Sequence, residues 1–104
     1  MVTISDSTFE NETLHLNVSV PRFDAASARA FKSELATHWQ PTANAITINM
    51  SVVDFLDSSG IGALLSVYKK LTSRNPSVRL LNVKPAVQSV FELMRMHRVF
   101  DIQN

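Results

Sequence analysis

Residues 52–71 read VVDFLDSSGIGALLSVYKKL. An apolar approach ends at Leu56, and from Ile61 the apolar residues fall at Ile61, Leu64, Leu65, Tyr68 and Leu71. That spacing is helical. Between the two parts stand Asp57, Ser58, Ser59 and Gly60. Asp57 or Ser58 can accept hydrogen bonds from the unpaired N–H groups of the first helical turn. The only two glycines of the chain, Gly60 and Gly62, fall in that same turn. Glycine inside a helix costs about 1 kcal/mol relative to alanine. Their concentration therefore requires a reason, either close approach of another backbone or a tight strand-to-helix turn.

The flanks extend the pattern on both sides. Upstream, AITINM (45–50) predicts a strand with Ile46, Ile48 and Met50 pointing one way. Before it, Asp24 can cap a helix over 25–38 whose apolar face carries Ala28, Phe31 and Leu35. The opening stretch TISDSTFENETLHLNVSV predicts two strands joined by a polar turn near Glu10–Glu12, with Leu14, Leu16, Val18 and Val20 on one face. Downstream, SRNPS closes the second helix and VRLLNV (78–83) is a strand. Pro85 suits the first turn of a third helix, where Val87, Val90, Phe91 and Met94 form the expected buried stripe. RVFDI then predicts a last short strand. Strand–helix alternation after an initial hairpin implies an α/β fold. The expectation is one domain over residues 1–104, a mixed sheet of four to five strands covered by three or more helices. In such sheets binding sites gather at the carboxyl ends of the strands, where the helices starting at Ser58 and Pro85 begin.

Composition narrows the function classes. Hydrophobic residues are 45% and charged residues 18%, with a net charge of +1, so nothing demands nucleic acid or an anionic membrane. The chain has no cysteine, which excludes a thiol nucleophile and a cysteine metal site. The opening residues lack a basic start and an apolar run, and no stretch approaches a membrane span, so a cytoplasmic protein is expected. His15, His38 and His97 are scattered without ligand spacing, predicting no metal site. Ser58 lacks a G-x-S-x-G setting, and no G-x-x-x-x-G-K-[ST] loop is present, so neither a hydrolase triad nor nucleotide binding is expected. Lys69, Lys70 and Arg74 read as complements to a helix C-terminus. Trp39 reads as a core-edge residue, and Met94, Met96 and Phe100 as core packing, or as a self-association patch if exposed.

A phosphate on Ser58 would be tolerated by the helix, because the first turn offers free N–H groups and a partial positive charge. It would add about −1.5 to −2 charges to the surface. A partner resting on the glycines would then meet a bulky dianion beside Asp57.

DFLDSSGIGALLSVYKKL resembles the phosphorylation segment of the anti-sigma factor antagonists, within the STAS domain family. The likeness extends to SVPRFDAASARAFKSEL, AITINMSVVDFLDSSG and LLNVKPAVQSVFELMRMHRVFDI, nearly the whole chain. The resemblance places the phosphorylated serine at Ser58, the adjacent acid at Asp57 and the acid of the first-helix loop at Asp24. Where the family usually has a glycine three residues before that loop acid, this chain has Pro21. The implied partner surface comprises Asp24, Asp57, Ser58, Ser59, Gly60, Ile61 and Gly62. What the resemblance implies is a partner switch, not an enzyme and without a cofactor. The unmodified domain would bind an anti-sigma factor that is also a serine kinase. Phosphorylation of Ser58 would end the contact, and a metal-dependent serine phosphatase would restore it. A second expectation keeps the fold and changes the role, to an accessory subunit of a membrane lipid-transport ATPase complex in which phosphorylation plays no part.

Overall fold

A computed structural model describes residues 1–103. The hairpin forms first in chain order: β1 (Ile4–Glu10) pairs antiparallel with β2 (Thr13–Val18). Its two-residue turn places Asn11 and Glu12 at φ 51° and 60°, the left-handed geometry that matches strand twist. β3 (Arg22–Phe23) follows, then α1 (Ala25–His38), β4 (Ala45–Asn49), β5 (Phe55–Leu56) and α2 (Ser58–Lys70). β6 (Ser77–Leu81), α3 (Pro85–Leu93), a short 3-10 turn (Met96–Arg98) and β7 (Asp101–Gln103) complete the chain. The main sheet has five strands in the order β1-β2-β4-β6-β7, and every pair after the hairpin is parallel. β3 and β5 form a separate two-stranded parallel pair.

Period-two alternation decides which face is covered. Leu14, Leu16 and Val18 of β2, Ile46 and Ile48 of β4, and Val78 and Leu80 of β6 are all buried. They join Phe31 and Leu35 of α1, Leu64 and Val67 of α2, and Val87 and Phe91 of α3 in a single cluster. The helices thus cover one face, and the other face is polar. There Asn17 donates to Asp6, Asn49 to Asn17 and Asn82 to Asn49, a side-chain ladder from 2.7 to 3.1 Å running across the strands. A glutamate ties the hairpin to α1: Glu34 accepts from the N–H groups of Thr3 and Ile4 and from the Thr3 hydroxyl.

The expected architecture is the observed one, with local corrections. β6 ends at Leu81 instead of Val83, because Asn82 takes φ 57° and turns the chain. The stripe of α2 also includes Ala63 and Val67, while Leu65 and Tyr68 are only partly buried. Met94 is not buried: α3 stops at Leu93 and Arg95 turns into the left-handed region at φ 58°, leaving Met94 41% exposed. Phe100 packs inward against Phe91 at 5.7 Å, and Met96 is half-buried.

Candidate functional site

The short pair β3–β5 organises the carboxyl end of the sheet. Its register sets Arg22 beside Phe55 and Phe23 beside Leu56. Each strand is followed at once by an aspartate, and each aspartate caps a helix. Asp24 accepts from the Ser27 N–H at 3.2 Å. Asp57 accepts from Ser59 and Gly60 N–H at 3.0 and 3.1 Å. The segments RFD and FLD therefore start two helices side by side. The hydrogen bond from the Ser27 N–H is the main reason that the Asp24 carboxyl sits below its ordinary range; partial burial opposes it and the nearby Arg22 charge assists. The carbonyl of Pro21 holds the approach to the site, accepting from Asp54 and Phe55 N–H at 2.8 and 3.1 Å.

The two glycines separate in role. A Cβ built on Gly60 would lie 2.3 Å from the Phe23 carbonyl oxygen and 2.6 Å from Leu56 Cδ1. The first turn of α2 thus rests directly on β3, and only a glycine fits. A Cβ on Gly62 would meet nothing within 4 Å. The fold does not require that second glycine, and the space beside it is open.

Ser58 and Ser59 are exposed, while Asp57, Asp24 and Gly62 are half-buried at the rim. Gly60 and Ile61 are buried, Ile61 to 1% exposure, so they shape the surface from beneath and present no side chain to it. Because Asp57 provides the cap, the Ser58 hydroxyl is not needed to start α2. Around the serines lie residues the sequence did not single out. Val52 and Phe55 are exposed apolar side chains at 43% and 38%. The Arg22 guanidinium lies 4.1 Å from the centre of the Phe55 ring. Lys84, before α3, pairs with Asp54. No periodicity could reveal these, since β3 and β5 are two residues each. Among the described residues no cluster of three or more His, Cys, Asp or Glu could hold a metal ion, and no helix is long and apolar enough to cross a membrane.

The chain and its fold have counterparts among known proteins. The STAS domain family matches residues 6–104. The anti-sigma-B factor antagonist of Listeria monocytogenes is 24% identical over 104 residues, covering 99% of this chain and 91% of its own. The structure of an anti-sigma-factor antagonist (STAS) domain protein from Planctomyces limnophilus superposes with a TM-score of 0.84 at 19% identity, over 98% of this chain and 89% of that one. The anti-sigma factor antagonist SpoIIAA in its unphosphorylated form gives 0.70 at 21% identity, over 95% and 89%. The phosphorylated form of Bacillus SpoIIAA gives 0.62 at 21% identity, over 95% and 92%. At these identities the structural likeness establishes the shared fold.

Proposed function

The chain belongs to the STAS domain family, and from that premise we propose that it is an anti-sigma factor antagonist whose binding is controlled by phosphorylation of Ser58. The carrying observation is the division of labour at the start of α2: Asp57 caps the helix, and Ser58 stands exposed beside the cap. A kinase can reach that hydroxyl, and the helix does not depend on it. A relative of the whole chain is an anti-sigma-B factor antagonist, and a protein of the same fold exists in phosphorylated and unphosphorylated forms, which supports the reading.

In the unmodified state a partner lies across Ser58, Ser59 and the open side of Gly62, flanked by Asp24 and Asp57, with Val52 and Phe55 supplying apolar contact. The partner is an anti-sigma factor that is itself a serine kinase; occupying it releases its client. Transfer of a phosphoryl group to the Ser58 hydroxyl places about −1.5 to −2 charges in the middle of that contact. The α2 N-terminus accepts the charge, so the fold persists. The interface does not, because a charge buried without a partner costs several kcal/mol. A metal-dependent serine phosphatase resets the switch.

The test is phosphorylation by the cognate anti-sigma kinase with ATP, followed by mass-spectrometric mapping. The proposal expects one phosphate on Ser58, absent from Ser58→Ala and retained by Ser59→Ala. Phosphate on Ser59 alone, or none in the presence of a kinase that binds the protein, overturns it.

A further inference from the structure

Charge is distributed along the sheet axis in a way the net value hides. α1, α2 and α3 each run from the carboxyl end of one strand toward the amino end of the next parallel strand, so their C-termini share one end of the molecule. That end lies opposite Ser58. It carries Lys69 and Lys70 in the last turn of α2, Arg74 before β6, and Arg95 and Arg98 before β7. β6 and β7 are neighbouring strands, so the segments entering them lie side by side. All five basic residues are exposed, and none makes an ion pair among the described residues. They are half of the ten Lys and Arg of the chain. Complementing helix dipoles explains Lys69 and Lys70; it does not explain Arg95 and Arg98, which lie beyond the end of α3.

The same end exposes apolar side chains. Leu93 is 84% and Met94 41% exposed, immediately before Arg95. Trp39 stands half-buried at the end of α1, with Lys70 Nζ 5.1 Å from its ring centre. Arg95 holds a left-handed backbone conformation at φ 58°, the position after a helix where glycine is usually found. Projecting apolar side chains at an end that also carries exposed Lys and Arg are the chemistry of a surface that rests on an anionic bilayer. The excess of exposed cations over exposed acids at this end favours an anionic partner over a second copy of this chain, since two such ends would carry the same net sign. Leu93, with no pocket of its own, favours lipid over a purely polyanionic ligand such as nucleic acid.

We propose that this basic and apolar end docks the domain peripherally on anionic phospholipid, leaving the Ser58 end facing away from the bilayer. This reverses the expectation set by the near-neutral net charge. Three exposed acids share this end, Glu92 on α3 and Glu10 and Glu12 in the hairpin turn at the amino end of β2, where β4 separates them from β6. Asp101 is engaged by Arg79, so among the described residues the five free cations still outnumber the free acids.

The experiment is co-sedimentation of the full chain with vesicles of phosphatidylcholine alone and of phosphatidylcholine with phosphatidylglycerol. The expected result is binding to the anionic vesicles only, weakened by salt. Each basic residue near an anionic surface contributes severalfold in affinity, so Arg95→Gln combined with Arg98→Gln should bind roughly tenfold or more weakly. Leu93→Ser should also bind more weakly, and thermal melts of both variants should match wild type. Equal sedimentation with both vesicle types overturns the proposal, as does wild-type binding by the double arginine variant. Loss on removing the arginines with no effect of Leu93→Ser, and equal competition by heparin, would mark a general polyanion site and also overturn it. None of these outcomes depends on whether Ser58 is phosphorylated.

Discussion

Gly60 and Gly62 are two residues apart and do different things. Gly60 is enclosed by the Phe23 carbonyl and the Leu56 side chain, so Gly60→Ala must push the first turn of α2 off β3. Overpacking of this kind costs about 1–3 kcal/mol. At about 4–8 °C per kcal/mol for a chain of this size, the melting temperature should fall clearly. Gly62 has open space around it, and alanine is the better helix former by about 1 kcal/mol. Gly62→Ala should therefore leave the melting temperature unchanged or raise it. Thermal melts of the two variants check the contrast, and a comparable loss in both would contradict the packing described. A bulky residue is a separate matter: Gly62→Trp should weaken partner binding more than it lowers stability, measured by titration beside a melt. The capping residues divide in the same way. Asp57→Ala removes the acceptor for two N–H groups and should cost about 0.5–2 kcal/mol. Ser58→Ala removes no cap and should melt as wild type, which differential scanning calorimetry distinguishes.

At the scale of the elements, much of the fold was legible because long elements carry their own period. The helix over 25–38 and its Ala28, Phe31, Leu35 face follow from spacing and one capping aspartate, and the structure places them so. Of the two reasons that the glycine concentration leaves open, a close backbone approach holds at Gly60 and not at Gly62. What escaped was short or local. β3 and β5 are too brief to show alternation, yet their register sets Asp24 beside Asp57 and builds the site. Met94 fits the spacing of a helical stripe, but the left-handed turn at Arg95 ends α3 before the stripe can close. Ala63 and Val67 share the buried face of α2 with larger residues that dominate its spacing. The contact of α1 with β1 was invisible in sequence, since Glu34 reaches back to Thr3 and Ile4. Burial pushes the Glu34 carboxyl upward, but the hydrogen bonds from Ile4 and Thr3 outweigh it and hold the group below the ordinary 4.5. A carboxyl depressed on folding adds stability that is present above its unfolded value and lost as pH falls through the folded one. The wild type should therefore lose stability on acidification below about pH 4.5. Glu34→Gln should be less stable at neutral pH and lose less on acidification. Urea melts at neutral pH and pH 3 compare the two, and parallel losses in both proteins would exclude Glu34 as a source.

For the molecule as a whole, fold and proposed interface separate at one serine. The core cluster lies beneath α2 and is untouched by what happens at Ser58, so charge there should act on binding alone. Ser58→Asp isolates that effect. A negative charge at a helix start is favoured by about 0.3–1 kcal/mol, so the variant should melt at or slightly above wild type. In the proposed contact the same charge would be buried without a counterpart, at a cost of several kcal/mol, and each 1.4 kcal/mol is a factor of ten in affinity. The deciding measurement is calorimetric titration of wild-type and Ser58→Asp protein into the cognate anti-sigma kinase, with thermal melts of both. The expected result is a folded variant that binds at least roughly a hundredfold more weakly. A folded Ser58→Asp protein that binds the kinase as tightly as wild type would contradict it.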